Sequence, residues 1–258
     1  RPNGDSGPLA LSFDAMDHYF LTHGRDWERY ALIKARPVAG DVAAGHDLLV
    51  SLRPFVYRKY LDFGAFESIR TMRTLIEREL NKKSLTGNVK LGRGGIREIE
   101  FIVQSHQLIY GGRNPALRTS SLYDALAALE DNGVLTDHDC AMMRRHYDFL
   151  RVLEHRLQIM DDAQTHTVPV EPLARTRIAL TMGYPEINAF DTAVESVNDA
   201  VHRLFLTVFH QDRGPAASEN NPLFADIWED TLAPEDQLTQ LRALGFGDAA
   251  QVQALLAG

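Results

Sequence analysis

The chain has 258 residues, enough for one large domain or two small ones. Its hydrophobic content of 45% and charged content of 24% are ordinary for a globular protein. The single cysteine, Cys140, excludes an intramolecular disulfide and favours a reducing compartment. No stretch approaches the roughly 18 apolar residues of a membrane span, so we expect a cytoplasmic protein without a membrane partner.

The net charge of −8 is distributed unevenly along the chain. Residues 1–100 carry 16 Lys and Arg against 13 Asp and Glu, a net of +3, whereas residues 101–258 carry 11 against 22, a net of −11. An acidic chain argues against general nucleic-acid binding, which relies on basic surfaces that neutralise phosphates. The basic excess around residues 53–97 fits either a local anion site or a solvated basic face.

The first part of the chain predicts short helices joined by turns. Residues 1–8 are rich in Gly, Pro, Asn and Asp and predict a loop. Because the chain opens without an initiator methionine, we expect it to be a fragment. Ser12 is a good N-cap for a helix that Gly24 closes, and a second helix follows over residues 25–36.

The next segments predict helices and carry few strand signals. Asp47 to Leu52 has a helical pattern, and the spacing of apolar residues predicts an amphipathic helix over residues 65–80. Strand signals are confined to Val89–Leu91 and Leu9–Phe13. We therefore expect a mostly α protein whose main body is a helical bundle with short connections.

The second half of the chain predicts long helices with recognisable N-terminal signals. Ser121 caps one helix, and Thr136 caps the longest, which runs to Met160. Pro172 fits the first turn of another helix, and residues 187–210 form the last long one.

A glycine turn with flanking charges is the strongest functional feature of the sequence. It contains three glycines, two arginines and two glutamates: Gly92, Gly94, Gly95, Arg93, Arg97, Glu98 and Glu100. Backbone N–H groups at the mouth of a helix can converge on an anion, and guanidinium groups suit phosphate oxygens. The alternative is a structural turn whose charged side chains pair on a helix start. Spacing alone does not separate the two interpretations.

Better-known sites are excluded by their motifs. The turn continues Gly-Ile-Arg, so it is neither a P-loop, which ends Gly-Lys-Ser/Thr, nor a dinucleotide fingerprint, which has a third glycine where this chain has Arg97. Ten histidines occur without zinc spacing, and no Gly-x-Ser-x-Gly elbow is present. We expect packing or surface roles for the histidines and a structural role for Cys140.

Several long strings carry a family resemblance over about residues 1–212. They are Arg1-Pro-Asn-Gly-Asp-Ser-Gly-Pro8, Gly24-Arg-Asp-Trp-Glu-Arg-Tyr30, Lys34-Ala-Arg36, Leu52-Arg-Pro-Phe-Val-Tyr57, Lys90-Leu-Gly-Arg-Gly-Gly-Ile-Arg-Glu-Ile-Glu-Phe-Ile-Val-Gln104, Gly111-Gly-Arg113 and Leu150-Arg-x-Leu-Glu154. Together they resemble the bifunctional glutamine synthetase adenylyltransferase/adenylyl-removing enzymes. The Gly-Arg-Gly-Gly-Ile-Arg-Glu-Ile-Glu version resembles the N-terminal, adenylyl-removing half of that family.

The resemblance implies a nucleotidyltransferase domain joined to a helical bundle. In the family, one half removes AMP from a tyrosine of glutamine synthetase by phosphorolysis, releasing ADP, and the other attaches AMP from ATP. PII signal proteins and glutamine set the balance. Such a displacement usually uses Mg²⁺ held by carboxylates. The family's metal-binding carboxylates precede Arg1, so we expect no metal site within the chain and no activity from the chain alone.

The resemblance also suggests domains and roles for individual residues. We expect the end of the nucleotidyltransferase domain at residues 1–56, the bundle at 57–212, and a linker with the start of a following helical region at 213–258. The basic residues expected to face phosphate are Arg1, Lys34 and Arg36. Arg93 and Arg97, with the Gly92–Gly95 turn, are expected to hold the attacking phosphate or the AMP group. Glu98 and Glu100 are expected to position a basic partner or a metal-bound water.

A different class of function is a helical docking module for glutamine synthetase or a PII protein that never contacts nucleotide. The acidic residues 101–258 suit docking to a basic partner. A third possibility is a structural bundle that supports the other half of the enzyme. The distinguishing observation is whether the arginine-rich glycine turn faces a concavity or is covered by the bundle.

Overall fold

The computed structural model describes residues 7–57 and 85–211, and within these ranges every regular element is a helix. This confirms the mostly α prediction. The α-helices are α1 (Phe13–Thr22), α2 (Asp26–Ile33), α3 (Val42–Ser51), α4 (Arg53–Val56), α5 (Ile96–Tyr110), α6 (Leu122–Asp131), α7 (Asp137–Asp161), α8 (Pro172–Thr181) and α9 (Ile187–Gln211). None of these helices is long and apolar enough to cross a membrane.

The predicted helix starts are confirmed by their capping bonds. The side-chain oxygens of Ser12, Ser121 and Thr136 accept the N–H groups of the residues three positions later, at 3.2, 3.3 and 3.1 Å. These bonds satisfy backbone donors that have no partner inside the helix. Pro172 opens α8 as predicted, because the first turn needs no N–H from that position.

Two helix boundaries differ from the sequence prediction. Helix α3 begins at Val42 instead of Asp47, because the Asp41 carboxylate accepts the Ala44 N–H at 3.0 Å and starts the helix earlier. Helix α2 ends at Ile33, three residues before the predicted end. The predicted helix over residues 65–80 and the linker and tail over 213–258 lie outside the described residues.

The strand predictions were wrong for both segments. Phe13 begins α1, and no strand forms at Leu9–Phe13. At Val89–Leu91 the chain makes tight turns. The only β-type pairing among the described residues is an isolated antiparallel bridge between Asn88 and Thr167. The Val89 N–H donates to the carbonyl of His166 at 2.8 Å. A short apolar run between turns was therefore misread as a strand.

A first apolar cluster joins the N-terminal helices to α5. Its buried members come from α1, α2, α4, α5 and the residue between α3 and α4: Phe20, Ile33, Leu52, Phe55, Val56 and Leu108. The Arg29 guanidinium lies 4.6 Å from the centre of the Phe55 ring and covers the edge of the cluster. Helices α1 to α4 are too short to be stable alone, so this burial holds them in place.

The second packing layer is centred on α5, which is buried on most of its surface. It contacts α2, α6 and α7, and its buried residues include Ile96, Ile99 and Ile102. The Phe101 ring stacks on Tyr30 of α2 at 5.4 Å between ring centres and contacts Phe205 of α9 at 6.0 Å. Helix α5 therefore packs against both the N-terminal helices and α9.

Candidate functional site

The segment before α5 folds into consecutive turns that are closed by its own polar groups. The Asn88 side-chain oxygen accepts the N–H groups of Lys90 and Leu91 at 3.0 and 2.8 Å. The Asn88 carbonyl accepts the Gly92 N–H at 2.9 Å, and the Gly92 carbonyl accepts the Gly95 N–H at 3.0 Å. We call residues 88–95 the glycine loop.

The first N–H groups of α5 are also used inside the protein. Ile96 donates to the carbonyl of Val89 at 3.0 Å, Arg97 to that of Lys90 at 3.1 Å, and Glu98 to that of Gly95 at 3.1 Å. Helix N-termini bind anions through free N–H groups. Since these three are occupied, an anion at this helix start would have to be met mainly by side chains.

Close packing explains why glycine stands at position 94. Gly94 has φ +68°, and a Cβ atom there would overlap the backbone of Asn198 in α9. A side chain is disfavoured by that backbone conformation and has no room at that contact. The glycine loop is therefore seated directly on α9.

Glu98 stabilises the contact between the glycine loop and α9 from inside the protein. Its carboxylate is 1% exposed, accepts a hydrogen bond from the Gly94 N–H, and lies 3.1 and 3.2 Å from Nδ1 of His202. Burial raises the pKa of Glu98, although the Gly94 N–H, His202 and Arg93 oppose that rise. Glu98 thus contacts His202 of α9 within the protein.

Arg93 lies at the edge of a concavity between the glycine loop and α9. Its Nη1 is 2.6 Å from the Asp199 carboxylate, and the side chain is 57% exposed. A second pair, Arg175 with Asp191 at 2.7 Å, lines the same cavity of about 440 Å³. The glycine loop therefore borders this concavity through Asn88, Gly92 and Arg93, while Gly94 packs against α9.

Arg97 and Glu100 occupy different surroundings one turn apart. The Arg97 guanidinium is exposed and makes no hydrogen bond or ion pair with the residues that the structure describes. Glu100 is half-buried and accepts the Tyr147 hydroxyl at 3.3 Å. Burial and the nearby Glu100 raise the pKa of Tyr147 to about 12, which keeps its hydroxyl a donor. Arg97 therefore presents an exposed guanidinium near the start of α5 that pairs with no described side chain.

Sequence reasoning missed a buried carboxylate that ties the loop to α7. Glu154 is 1% exposed and lies 3.4 Å from Lys90 Nζ and 3.0 Å from His166 Nδ1, and it also pairs with Arg151. The motif Leu150-Arg-x-Leu-Glu154 contained the signal, because a glutamate on the apolar face of a long helix needs a cationic partner.

The remaining predicted phosphate ligands do not join the glycine loop. Lys34 is exposed at the end of α2. Arg36 lines a separate pocket that shares no residue with the cavity at the loop. Arg1 lies outside the described residues.

Similar proteins in three different bacteria carry one name. The chain is 45% identical to the bifunctional glutamine synthetase adenylyltransferase/adenylyl-removing enzyme of Hahella chejuensis over 98% of its own length and 26% of the relative. It is 44% identical to that of Pseudomonas aeruginosa and 47% identical to that of Stenotrophomonas maltophilia strain K279a, in each case over 96% of the chain and 26% of the relative.

Two family models divide the chain between them. A model described as GlnD PII-uridylyltransferase matches residues 70–209, more than half of the chain, and one described as glutamate-ammonia ligase adenylyltransferase matches residues 1–50. The chain belongs to the family of the first model, GlnD PII-uridylyltransferase, which covers more than half of its residues. The three relatives confirm the resemblance drawn from the motifs. The chain spans about a quarter of the length of the relatives it matches.

The described residues do not form a binding site for magnesium, the metal that the chemistry of this family implies. No group of three or more His, Cys, Asp or Glu side chains in residues 7–57 and 85–211 is arranged to hold a metal ion. The buried carboxylates of Glu98 and Glu154 are already matched to basic partners. We therefore assign no step at the glycine loop to a metal.

Proposed function

We propose that the whole protein transfers AMP to and from glutamine synthetase, and that this chain comes from the half that removes AMP. In that reaction phosphate attacks the phosphorus of the adenylylated tyrosine, the tyrosine oxygen leaves with its electron pair, and ADP is released. The adenylylating half would use ATP. PII protein and glutamine would set the direction, and Mg²⁺ would be held by residues outside those described.

The observation that carries the proposal is the match of 44–47% identity along nearly the entire chain to relatives named for both activities. The assignment to the adenylyl-removing half rests on the motif Gly-Arg-Gly-Gly-Ile-Arg-Glu-Ile-Glu at residues 92–100. The concavity beside that motif supports a site in contact with a ligand over a module that serves docking alone.

The chain would contribute positioning and charge at the glycine loop. Arg97 is exposed and able to offer a two-pronged guanidinium to phosphate oxygens. Arg93 would do the same after exchanging Asp199 for the anion, because an exposed ion pair is weak. The Gly94 contact and the Glu98–His202 pair would keep the two arginines in place on α9. Glu100 would orient Tyr147 next to them.

The test is phosphorolysis of adenylylated glutamine synthetase, followed through the appearance of ADP with Mg²⁺ and phosphate present. The reaction is run with this 258-residue chain and with a protein of the full length of its relatives. We expect ADP from the full-length protein and none from the chain alone.

Two outcomes would contradict the proposal in different ways. A full-length protein that binds the synthetase but never forms ADP would favour the docking interpretation. ADP formation by the 258-residue chain itself would show that the metal-binding groups lie within it, contrary to our assignment.

A further inference from the structure

A second pocket, between the N-terminal helices and the turn that follows α5, contains an unusual excess of positive charge. It has a volume of about 230 Å³. Arg36 lines it from the segment after α2, Arg53 from the start of α4, and Arg118 from the turn before α6. Among the residues that the structure describes, no Asp or Glu lines this pocket, whereas the cavity at the glycine loop has three carboxylates beside its two arginines.

Two of these arginines have no internal partner to explain them. The side chains of Arg36 and Arg53 are exposed and make no hydrogen bond or ion pair with residues 7–57 or 85–211. Arg93, Arg144, Arg151 and Arg175 in the same ranges each have a carboxylate partner. In a chain of net charge −8, three arginines without a carboxylate among the described lining residues give these residues a charge of +3 that a bound anion would neutralise.

The third arginine is held rigidly at the wall of the pocket. Arg118 donates from Nε to the Gly111 carbonyl at 2.6 Å and from Nη2 to the Gly112 carbonyl at 3.1 Å. Its guanidinium carbon lies 5.9 Å from the centre of the Tyr57 ring. Burial raises the pKa of Tyr57 even though Arg118 and Arg53 oppose the rise, so its hydroxyl remains a donor. A fixed cation costs little further ordering when a ligand binds.

The shape and chemistry of the lining restrict the class of ligand. Guanidinium groups bind tetrahedral oxyanions through paired N–H donors, and hydroxyl groups such as those of Tyr57 and Ser120 add single hydrogen bonds. The volume is below the roughly 300–1,000 Å³ of pockets that enclose drug-sized ligands. The pocket is therefore large enough for a phosphate group and too small to enclose a whole nucleotide.

We propose that this pocket, lined by Arg36, Arg53 and Arg118, is a binding site for a phosphate dianion. The dianion is either inorganic phosphate or the terminal phosphate of a nucleoside diphosphate whose remainder lies outside the pocket. The site is separate from the glycine loop, and its occupation does not depend on the transfer reaction proposed above.

Binding is measured by isothermal titration calorimetry on the 258-residue chain, with inorganic phosphate, ADP and adenosine as separate ligands. The variants are Arg36→Gln and Arg53→Gln, because both side chains are exposed and their loss should leave the fold intact. The matched control is Arg156→Gln, which removes an exposed arginine of α7 that lines neither this pocket nor the cavity at the glycine loop. Thermal unfolding of each variant verifies the fold.

We expect each pocket variant to weaken phosphate or ADP binding at least tenfold, the control to bind normally, and adenosine not to bind. Phosphate binding that is lost in the variants identifies the free ion as the ligand. ADP binding that is lost in the same variants, without phosphate binding, identifies the nucleotide. Binding of neither ligand, or equal weakening by Arg156→Gln, would overturn the assignment whether or not the whole protein forms ADP.

Discussion

At the scale of single residues, Gly94 combines two structural demands that the other described glycines meet at most singly. Its φ of +68° disfavours a side chain, and its Cα approaches the backbone of Asn198 too closely for a Cβ atom. Gly133 has a similar φ of +64° but open space around it. Substitutions at Gly94 and Gly133 can therefore be compared to separate the cost of the left-handed backbone from the cost of disturbing the contact between the glycine loop and α9.

We predict that Gly94→Ala destabilises the protein more than Gly133→Ala. The left-handed conformation should cost about 1–2 kcal/mol at either position. Overlap with α9 should add about 1–3 kcal/mol at Gly94. Urea unfolding of both variants measures the difference. Equal losses of stability would mean that the loop is not seated tightly on α9.

The buried Glu98 predicts a particular pH dependence. Its pKa is raised above the ordinary value of 4.5, chiefly by burial, so the ionised form is less favourable in the folded chain than in the unfolded one. The stability that this group contributes is complete below pH 4.5 and is lost as the pH rises through the folded-state pKa. Relative to Glu98→Gln, the wild-type protein should therefore lose unfolding free energy as the pH rises above about 4.5.

Glu171 supplies a control of the opposite sign. Its carboxylate accepts the N–H groups of Ala174 and Leu173, and these bonds lower its pKa. The contribution of Glu171 is present above the ordinary pKa and disappears as the pH falls through the lower folded-state value. Urea unfolding between pH 3 and pH 7 should give opposite trends for Glu98→Gln and Glu171→Gln. Parallel trends would refute the burial argument for Glu98.

For the reaction itself, we predict that Arg93→Ala and Arg97→Ala slow ADP formation by the full-length protein by at least tenfold. Both side chains are exposed, so thermal stability should change little. Arg156→Ala is again the matched control. Normal turnover in both loop variants would remove the glycine loop from the mechanism.

At the scale of elements, Glu154 joins three parts of the chain that are distant in sequence. Helix α7 supplies the carboxylate, the glycine loop supplies Lys90, and the segment before α8 supplies His166. The Val89 N–H bond to the His166 carbonyl lies beside it and reinforces the junction.

We predict that Glu154→Ala costs about 2 kcal/mol of unfolding free energy. Loss of one member of a fully buried pair costs roughly 3–5 kcal/mol, and here the cations left behind are partly solvated. Glu130→Ala, which removes the carboxylate of a more exposed pair with Arg144, should cost under about 1 kcal/mol. Equal costs, measured by urea unfolding, would show that the Glu154 junction is no stronger than a surface ion pair.

Elements with local signals were predictable, and those fixed by distant contacts were not. Ser12, Ser121 and Thr136 marked helix starts correctly because a cap depends on bonds three residues away. The seating of Gly94 on Asn198 could not be anticipated, since nothing near residue 94 identifies a partner about one hundred positions later. The contact between Glu98 and His202 could not be predicted for the same reason, because the two residues are far apart in sequence. The charged residues of the glycine loop were nevertheless recognised as functional candidates.

At the scale of the whole molecule, the described residues up to Leu206 belong to one compact unit. The N-terminal helices share an apolar cluster with α5, and α5 shares aromatic contacts with α9. A substitution that weakens the contact between the glycine loop and α9 should therefore also lower the unfolding midpoint of α2.

We predict that Gly94→Ala lowers the unfolding midpoint seen by the fluorescence of Trp27, in α2, by the same amount as the midpoint seen by far-ultraviolet circular dichroism. The measurement uses a Trp228→Phe background, because position 228 carries the other tryptophan of the chain. Coincident transitions are the mark of a single cooperative unit. A Trp27 midpoint that does not move would show that the N-terminal helices unfold independently.

The contacts between the glycine loop and α9 also have a consequence for the order of folding. Arg93 meets Asp199, and Glu98 meets His202, across 106 and 104 positions of sequence. Contacts of such separation form late, because a long intervening chain must first be brought together. During synthesis the ribosome must release α9 before the loop can be seated. The segment with the strongest signature of chemistry is thus among the last to be assembled, and an unfinished chain would carry its arginines without the geometry that orients them.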